Sequence, residues 1–224
     1  MSATQEVRTE GADRQWFIVG RWQEYEGEAR ANLLRIVGIV VFYLVELVNY
    51  HGLRLGFLEI PKVEDVNERF HQAVTALAVA WTMVGLGILL SLRRQIFPSQ
   101  LKFISTGCDL VFLTAILTVA DGPRSPLLVG YFLIIALSSL RFSVPLIWFA
   151  TAGSMAGYLF LSGYAKWFRE ALRVPRYHQV MFLLGLLLTG IALGQVVRRV
   201  RWIAQEYAGR LGTASLRVDQ VESP

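Results

Sequence analysis

The chain is 224 residues long, 54% hydrophobic and 17% charged, with a mean hydropathy of +0.45. That balance is wrong for a water-soluble globule, and the polar remainder, about thirty residues at each end plus short loops, is too small for a separate soluble domain of about 50 residues or more. A fused catalytic domain is therefore not expected. The single cysteine, Cys108, lies in an apolar stretch, which excludes an intrachain disulfide and a Cys-rich zinc or iron–sulfur centre. The net charge of +5 does not point to nucleic acid, because the basic residues flank apolar spans, where anionic lipid and topology account for them.

In chain order, residues 1–32 form an amino-terminal segment in which Trp16, Phe17, Trp22 and Tyr25 sit amid Glu24, Glu26 and Glu28. Trp and Tyr favour the membrane–water boundary, so a short surface helix or a docking face is expected there. It lacks a basic start, an apolar run and a small-residue cleavage site, so no cleavable signal peptide is predicted. Residues 33–200 read as a transmembrane domain. Its apolar runs are Ile36 to Tyr50, broken by Glu46; Gln72 to Leu92, closed by Arg93 and Arg94; Phe103 to Ala120, containing Asp109; Ser125 to Leu140; Phe142 to Ala165; and Tyr177 to Val197. An apolar helix of about 20 residues crosses the hydrocarbon layer. Helices are accordingly predicted over residues 33–50, 71–92, 102–120, 125–141, 144–165 and 177–198, making an all-α polytopic bundle of six transmembrane helices.

The fourth run is the shortest, about 24 Å at 1.5 Å per residue, and requires Arg141 to snorkel to the headgroups. A re-entrant hairpin of runs four and five, with four complete crossings, is the alternative. Asp121-Gly122-Pro123 cannot continue a helix, while Ser125-Pro126 offers a hydroxyl cap and then proline in the first turn. With the amino terminus inside, fourteen Lys and Arg fall on the cytoplasmic side and eight on the other, which favours a multi-pass protein of the cytoplasmic membrane with both termini cytoplasmic. Lys166, Arg169, Arg173 and Arg176 argue the other way. Trp167, Phe168, Ala171 and Leu172, near them, fall at the spacing of a short amphipathic helix on the headgroups.

Glu46 and Asp109 are the acids inside apolar spans. An ionised carboxylate in hydrocarbon is costly, so each should face the bundle interior with a partner or be protonated. Each is a candidate for ligand binding or proton coupling. The structural alternative is a hydrogen bond, from Asp109 to Ser or Thr on a neighbouring helix, or from Glu46 toward the interface with Asn49. His51, His71 and His178 all fall at one side of the membrane, with Glu46 one turn from His51. Such a set can ligate a metal or haem, although no H-E-x-x-H or H-x-x-H is present.

The stretch Asp121-Gly122-Pro123-Arg124-Ser125-Pro126-Leu127, followed by Tyr131-Phe132-Leu133-Ile134, resembles the segment joining consecutive helices in the membrane-embedded sensor regions of bacterial sensor histidine kinases, including the quinone-responsive redox kinases. There a Gly-Gly-x-x-Asn/Ser-Pro pattern precedes an apolar helix. Here Asp121 stands where the first glycine would be and Ser125 replaces the asparagine common in the redox group. The resemblance implies a ligand-sensing turn at Gly122, Ser125 and Pro126, with a quinone as one ligand class. The reading from the residues alone is a Pro/Gly turn and a helix cap.

Gly153 and Gly157, and Gly190 and Gly194, each form a G-x-x-x-G, which suits close helix packing inside the bundle. From the sixth span outward Val197, Val200, Ala204, Tyr207, Leu211, Ala214 and Val218 recur at spacings of three and four, an apolar seam on a helix leaving the membrane. Gly209 and Gly212 weaken that helix, and a tail on the membrane surface is the alternative for residues 201–224. No G-x-S-x-G and no phosphate-binding glycine loop occur, so an enzyme is not expected. The functional expectation is a sensor-like membrane protein without an output domain, detecting a membrane-soluble ligand or membrane state and signalling through its carboxyl-terminal helix to a protein partner or a second copy. The alternatives are an accessory subunit of a redox or transport complex holding quinone, haem or metal, and a small proton-coupled transporter.

Overall fold

A computed structural model describes the backbone over residues 3–55, 58–60, 68–94 and 100–221, and side chains over residues 25–48, 50–52, 68–94 and 100–206. The helices are α1 (Ala3–His51), α2 (Glu68–Arg93), α3 (Leu101–Val119), α4 (Val129–Ser139), α5 (Val144–Phe168) and α6 (Arg176–Val221). Two three-residue strands, β1 (Leu53–Leu55) and antiparallel β2 (Leu58–Ile60), follow α1. Among the described residues, five helical stretches are long and apolar enough to cross a membrane: Tyr25–Val48, Glu68–Arg93, Leu101–Val119, Val144–Phe168 and Arg176–Glu206. The apolar helix Pro126–Ser139 is shorter. This is an all-α membrane protein.

The lipid-facing surface supports that assignment. Leu33, Val37, Val41, Leu44 and Val45 of α1, Val79, Met83 and Leu90 of α2, and Val180, Met181, Leu184 and Leu188 of α6 are all exposed. An apolar surface of that extent would aggregate in water. In hydrocarbon it costs nothing, whereas the backbone must be paired within each segment.

α5 packs against α3, α4 and α6; α2 joins α1 to α3. The short α4 is enclosed by α3, α5 and α6 and touched by α1. That is why Tyr131 and Ile135 are fully buried. Close approach is carried by glycine: a Cβ on Gly153 would run into Leu110, one on Gly157 would lie 2.6 Å from the Tyr131 hydroxyl, and one on Gly190 would run into Thr151. Gly194 meets nothing within 4 Å. Three of the four G-x-x-x-G glycines thus face neighbouring helices of the same chain.

Several local expectations change. α1 is one helix of 49 residues, about 74 Å long at 1.5 Å per residue, rather than a surface helix followed by a span beginning near residue 33. The side chains of Trp16, Phe17, Trp22 and Glu24 lie outside the described residues. Trp167 and Phe168 finish α5, and Glu170–Leu172 forms a separate 3₁₀ turn, because Arg169 leaves helical geometry at φ −139°, ψ 69°. One amphipathic surface helix is therefore not formed there. α6 continues without a break to Val221, with Val197 buried and Val200 and Ala204 exposed. The Tyr207, Leu211, Ala214 and Val218 side chains fall outside the described residues.

Candidate functional site

At one end of the bundle, polar side chains at helical spacing meet across four elements. Glu28, Asn32 and Arg35 lie at i, i+4 and i+7 on one face of α1; Ser105, Thr106 and Asp109 face them from α3, and Arg141 enters from the α4–α5 turn. All seven are buried. Arg141 donates Nη2 to Glu28 Oε1 at 2.8 Å and to Ser105 Oγ at 3.0 Å, donates Nη1 to Thr106 Oγ1 at 2.6 Å, and holds Nε 2.8 Å from Glu28 Oε2. Arg35 places Nε 2.6 Å from Asp109 Oδ1, donates Nη1 to Asn32 Oδ1 at 2.5 Å, and also bonds Ser105. Trp81 Nε1 donates to Asp109 Oδ1 at 2.8 Å, and Asn32 Nδ2 to the Gly85 carbonyl at 3.0 Å.

Two carboxylates and two guanidiniums make this cluster formally neutral. Arg141 meets Glu28 through Nη2 and Nε, and Arg35 meets Asp109 through Nε; such pairing is the tolerable way to bury charge. Phe142, the residue after Arg141, has φ 48°, a left-handed conformation that side chains rarely adopt. That bend turns the chain so that Arg141 points inward. Arg141 therefore does not snorkel to the headgroups as the sequence suggests; Glu28 and Thr106 give it a better partner than water at the boundary.

At the opposite end of α1, His71 Nδ1 lies 2.9 and 3.2 Å from the two oxygens of Glu46. Tyr50 stacks on the His71 ring with centroids 4.1 Å apart and planes 4° from parallel, and the His51 ring is 6.3 Å from that of His71. Glu46 thus has a cross-helix partner in His71. Asp109 is met by Arg35 and Trp81, rather than by Ser or Thr. Between the two groups, α1 and α3 leave apolar voids of about 60 Å³, lined by Ile39, Phe42, Trp81 and Leu113 among others, and about 20 Å³.

A larger cleft, about 660 Å³, lies elsewhere, between the α3–α4 connection, α4, α5 and the start of α6. The exposed Arg124 and His178 and the buried Pro123 line it, and Phe132, Tyr158, Phe182 and Gly185 form its apolar wall. The volume is that of a small-molecule site. The turn above it is built by the residues singled out from the sequence. Gly122 adopts φ +55°, affordable for glycine, and the buried Ser125 accepts a bond from Leu127 N at 3.2 Å with Pro126 next in the first turn. Gly122, Ser125 and Pro126 shape the turn, while Pro123, Arg124 and Leu128 contact the cleft.

His178 lines this cleft, whereas His51 and His71 sit beside Glu46 and Tyr50. Among the described residues no group of three or more His, Cys, Asp or Glu side chains is placed to hold a metal ion. The buried cluster of Glu28, Asn32, Arg35 and Arg141 was not evident in the sequence as a site; its one legible signal is the i, i+4, i+7 polar spacing that runs into the apolar face of α1. No family model, curated protein or solved structure matches the chain.

Proposed function

We propose that this chain is a six-span sensor of the cytoplasmic membrane, both termini cytoplasmic, that takes a membrane-soluble ligand into the cleft beneath the Gly122–Pro126 turn and passes a small displacement along α6 to a protein partner or a second copy. The observation that carries the reading is the double role of α6. Its first three turns, from His178 through Gly185, form one wall of the cleft, and the same helix runs unbroken to Val221. A ligand that fits one position of that wall better than another shifts the helix between positions, and a continuous helix carries a translation or a tilt about its middle to the far end. The resemblance of residues 121–134 to sensor-kinase membrane regions supports the same choice.

A proton-coupled transporter finds less support. Asp109 is held by the Arg35 guanidinium and Trp81, which favours a fixed ionised carboxylate over one that takes up and releases a proton. A metal-holding accessory subunit lacks a ligand set among the described residues.

The test uses a cleft-filling side chain as a mimic of occupancy. A Cβ on Gly185 would sit 3.5 Å from Phe132, so Gly185→Leu fills space without immediate collision. Spin labels on Arg94→Cys and Ala204→Cys, in a Cys108→Ser background, report the far end of α6 against α2. The filled cleft should shift that distance by about 1–2 Å, the usual scale of helix displacement in switches. An unchanged distance distribution in a folded Gly185→Leu protein sinks the sensor reading.

A further inference from the structure

The rim of the cleft carries a charge pattern that specifies more than an apolar ligand. Residues 121–124 and 166–178 bring together Arg124, Lys166, Arg169, Arg173 and Arg176 with Asp121 and Glu170, and Arg124 lines the cleft itself. All five cations are exposed. Arg124 Nη2 donates to the Arg173 carbonyl at 2.8 Å and Arg169 Nη1 to the Ala120 carbonyl at 3.1 Å. Both guanidiniums are thus oriented by backbone and not neutralised. Among the described residues none of the five pairs with a carboxylate, unlike Arg30, Arg35 and Arg141.

The depth of this rim follows from its aromatics. Trp167, Phe168 and Tyr177 are 76%, 74% and 65% exposed, and such rings settle at the headgroup level of a bilayer. From Arg176 to Gly185 the α6 wall descends about 13 Å at 1.5 Å per residue through Met181 and Phe182, with Phe132 and Tyr158 opposite. An anionic group at the rim and an apolar chain below it, at those depths, is the shape of a phospholipid.

We propose that the cleft binds one phospholipid with a monoanionic phosphodiester head, phosphate against Arg124, beside which the exposed Arg173 adds positive charge, and one acyl chain along Phe132, Met181 and Gly185. The inference rests on the cleft being a ligand site and names the ligand class. Guanidinium suits the phosphate because its planar donors match two oxygens at once, and the apolar wall excludes a free inorganic anion as the fitting occupant. α6 is the element such a lipid would hold.

The experiment is native mass spectrometry of the full chain in mild detergent, titrated with phosphatidylglycerol, phosphatidylcholine of the same chains, and inorganic phosphate. One phosphatidylglycerol should remain bound, phosphatidylcholine should not compete for it, and inorganic phosphate should displace it weakly or not at all. Arg124→Gln/Arg173→Gln should weaken its retention about thirtyfold, two charges at the usual strength of basic residues near an anionic lipid surface. The same charge loss at the far end, Arg93→Gln/Arg94→Gln, should leave retention unchanged. Gly185→Leu, which alters no charge, should reduce it as well, so a misfolded arginine variant does not decide the matter. Equal binding of both lipids, equal loss in the two arginine pairs, or displacement by phosphate alone overturns the proposal. Lipid retained while the 94–204 distance ignores it overturns the sensor reading and leaves this one standing.

Discussion

The two ends of the bundle treat positive charge in opposite ways. At the Glu28 end, Arg35 and Arg141 are buried and matched one for one by Asp109 and Glu28, with hydroxyls and carbonyls taking the remaining donors. At the His178 end, five cations face outward, and among the described residues no carboxylate meets them. A charge that is satisfied internally is free to fix geometry but not to recruit; a charge left to solvent can recruit but contributes little to the fold. The Glu28 end therefore reads as the joint that holds α1 to α3 and the α4–α5 turn, and the His178 end as the surface that meets something else.

The largest expected effect tests that contrast directly. Arg141→Gln leaves Glu28 buried without its counter-ion and should destabilise the protein by about 3–5 kcal/mol, the usual result of removing one partner of a buried pair. Arg124→Gln removes only an exposed bond to a carbonyl and should cost less than about 1 kcal/mol. Thermal unfolding in one detergent, with both variants side by side, measures the difference, and similar losses would erase the distinction between the ends. The double variant Glu28→Gln/Arg141→Gln should recover part of the loss, since neither charge is then stranded.

Asp109→Asn should have an intermediate effect. Asparagine keeps an oxygen for Trp81 Nε1 and for Arg35, and removes only the charge. The buried Arg35 loses its counter-ion but keeps Asn32 and Ser105, so a loss of about 3 kcal/mol is expected, at the low end for breaking a buried pair. A loss as large as that of Arg141→Gln would mean that the two ion pairs act as one unit rather than as two.

The same contrast explains what the sequence reveals and what it hides. The long apolar runs translate into helices because hydrocarbon leaves the backbone no other partner, and this holds for each of the five long helices irrespective of detail. Glu28 is hidden for the opposite reason. It stands outside the uncharged run, among Glu24 and Glu26, and reads as a headgroup acid; what buries it is Arg141, 113 positions away. Arg141, at the end of the shortest span, reads as a snorkelling cation until the turn at Phe142 is seen. The Gly122–Pro126 turn is legible because glycine and proline carry local backbone information. The cleft below it is made of Phe132, Tyr158, Met181 and Phe182, ordinary residues of a membrane helix whose shared void depends on the crossing of α4, α5 and α6 and has no signature in spacing.

The smallest expected effect concerns the turn that delivers Arg141. Phe142 holds φ 48°, and for a residue with a Cβ that conformation costs about 1–2 kcal/mol. Phe142→Gly relieves the strain but gives back unfolded-state entropy, so stability should change by no more than about 1 kcal/mol, in the stabilising direction. Phe142→Val, branched at Cβ where the left-handed region is tightest, should lose about 1–2 kcal/mol. The informative measurement is Phe142→Val in the Arg141→Gln background. If the bend exists to seat the guanidinium against Glu28, the turn in that background is free to relax to ordinary geometry, and valine should cost clearly less than it does beside Arg141. An undiminished cost would mean that helix packing on either side, not the ion pair, enforces the bend.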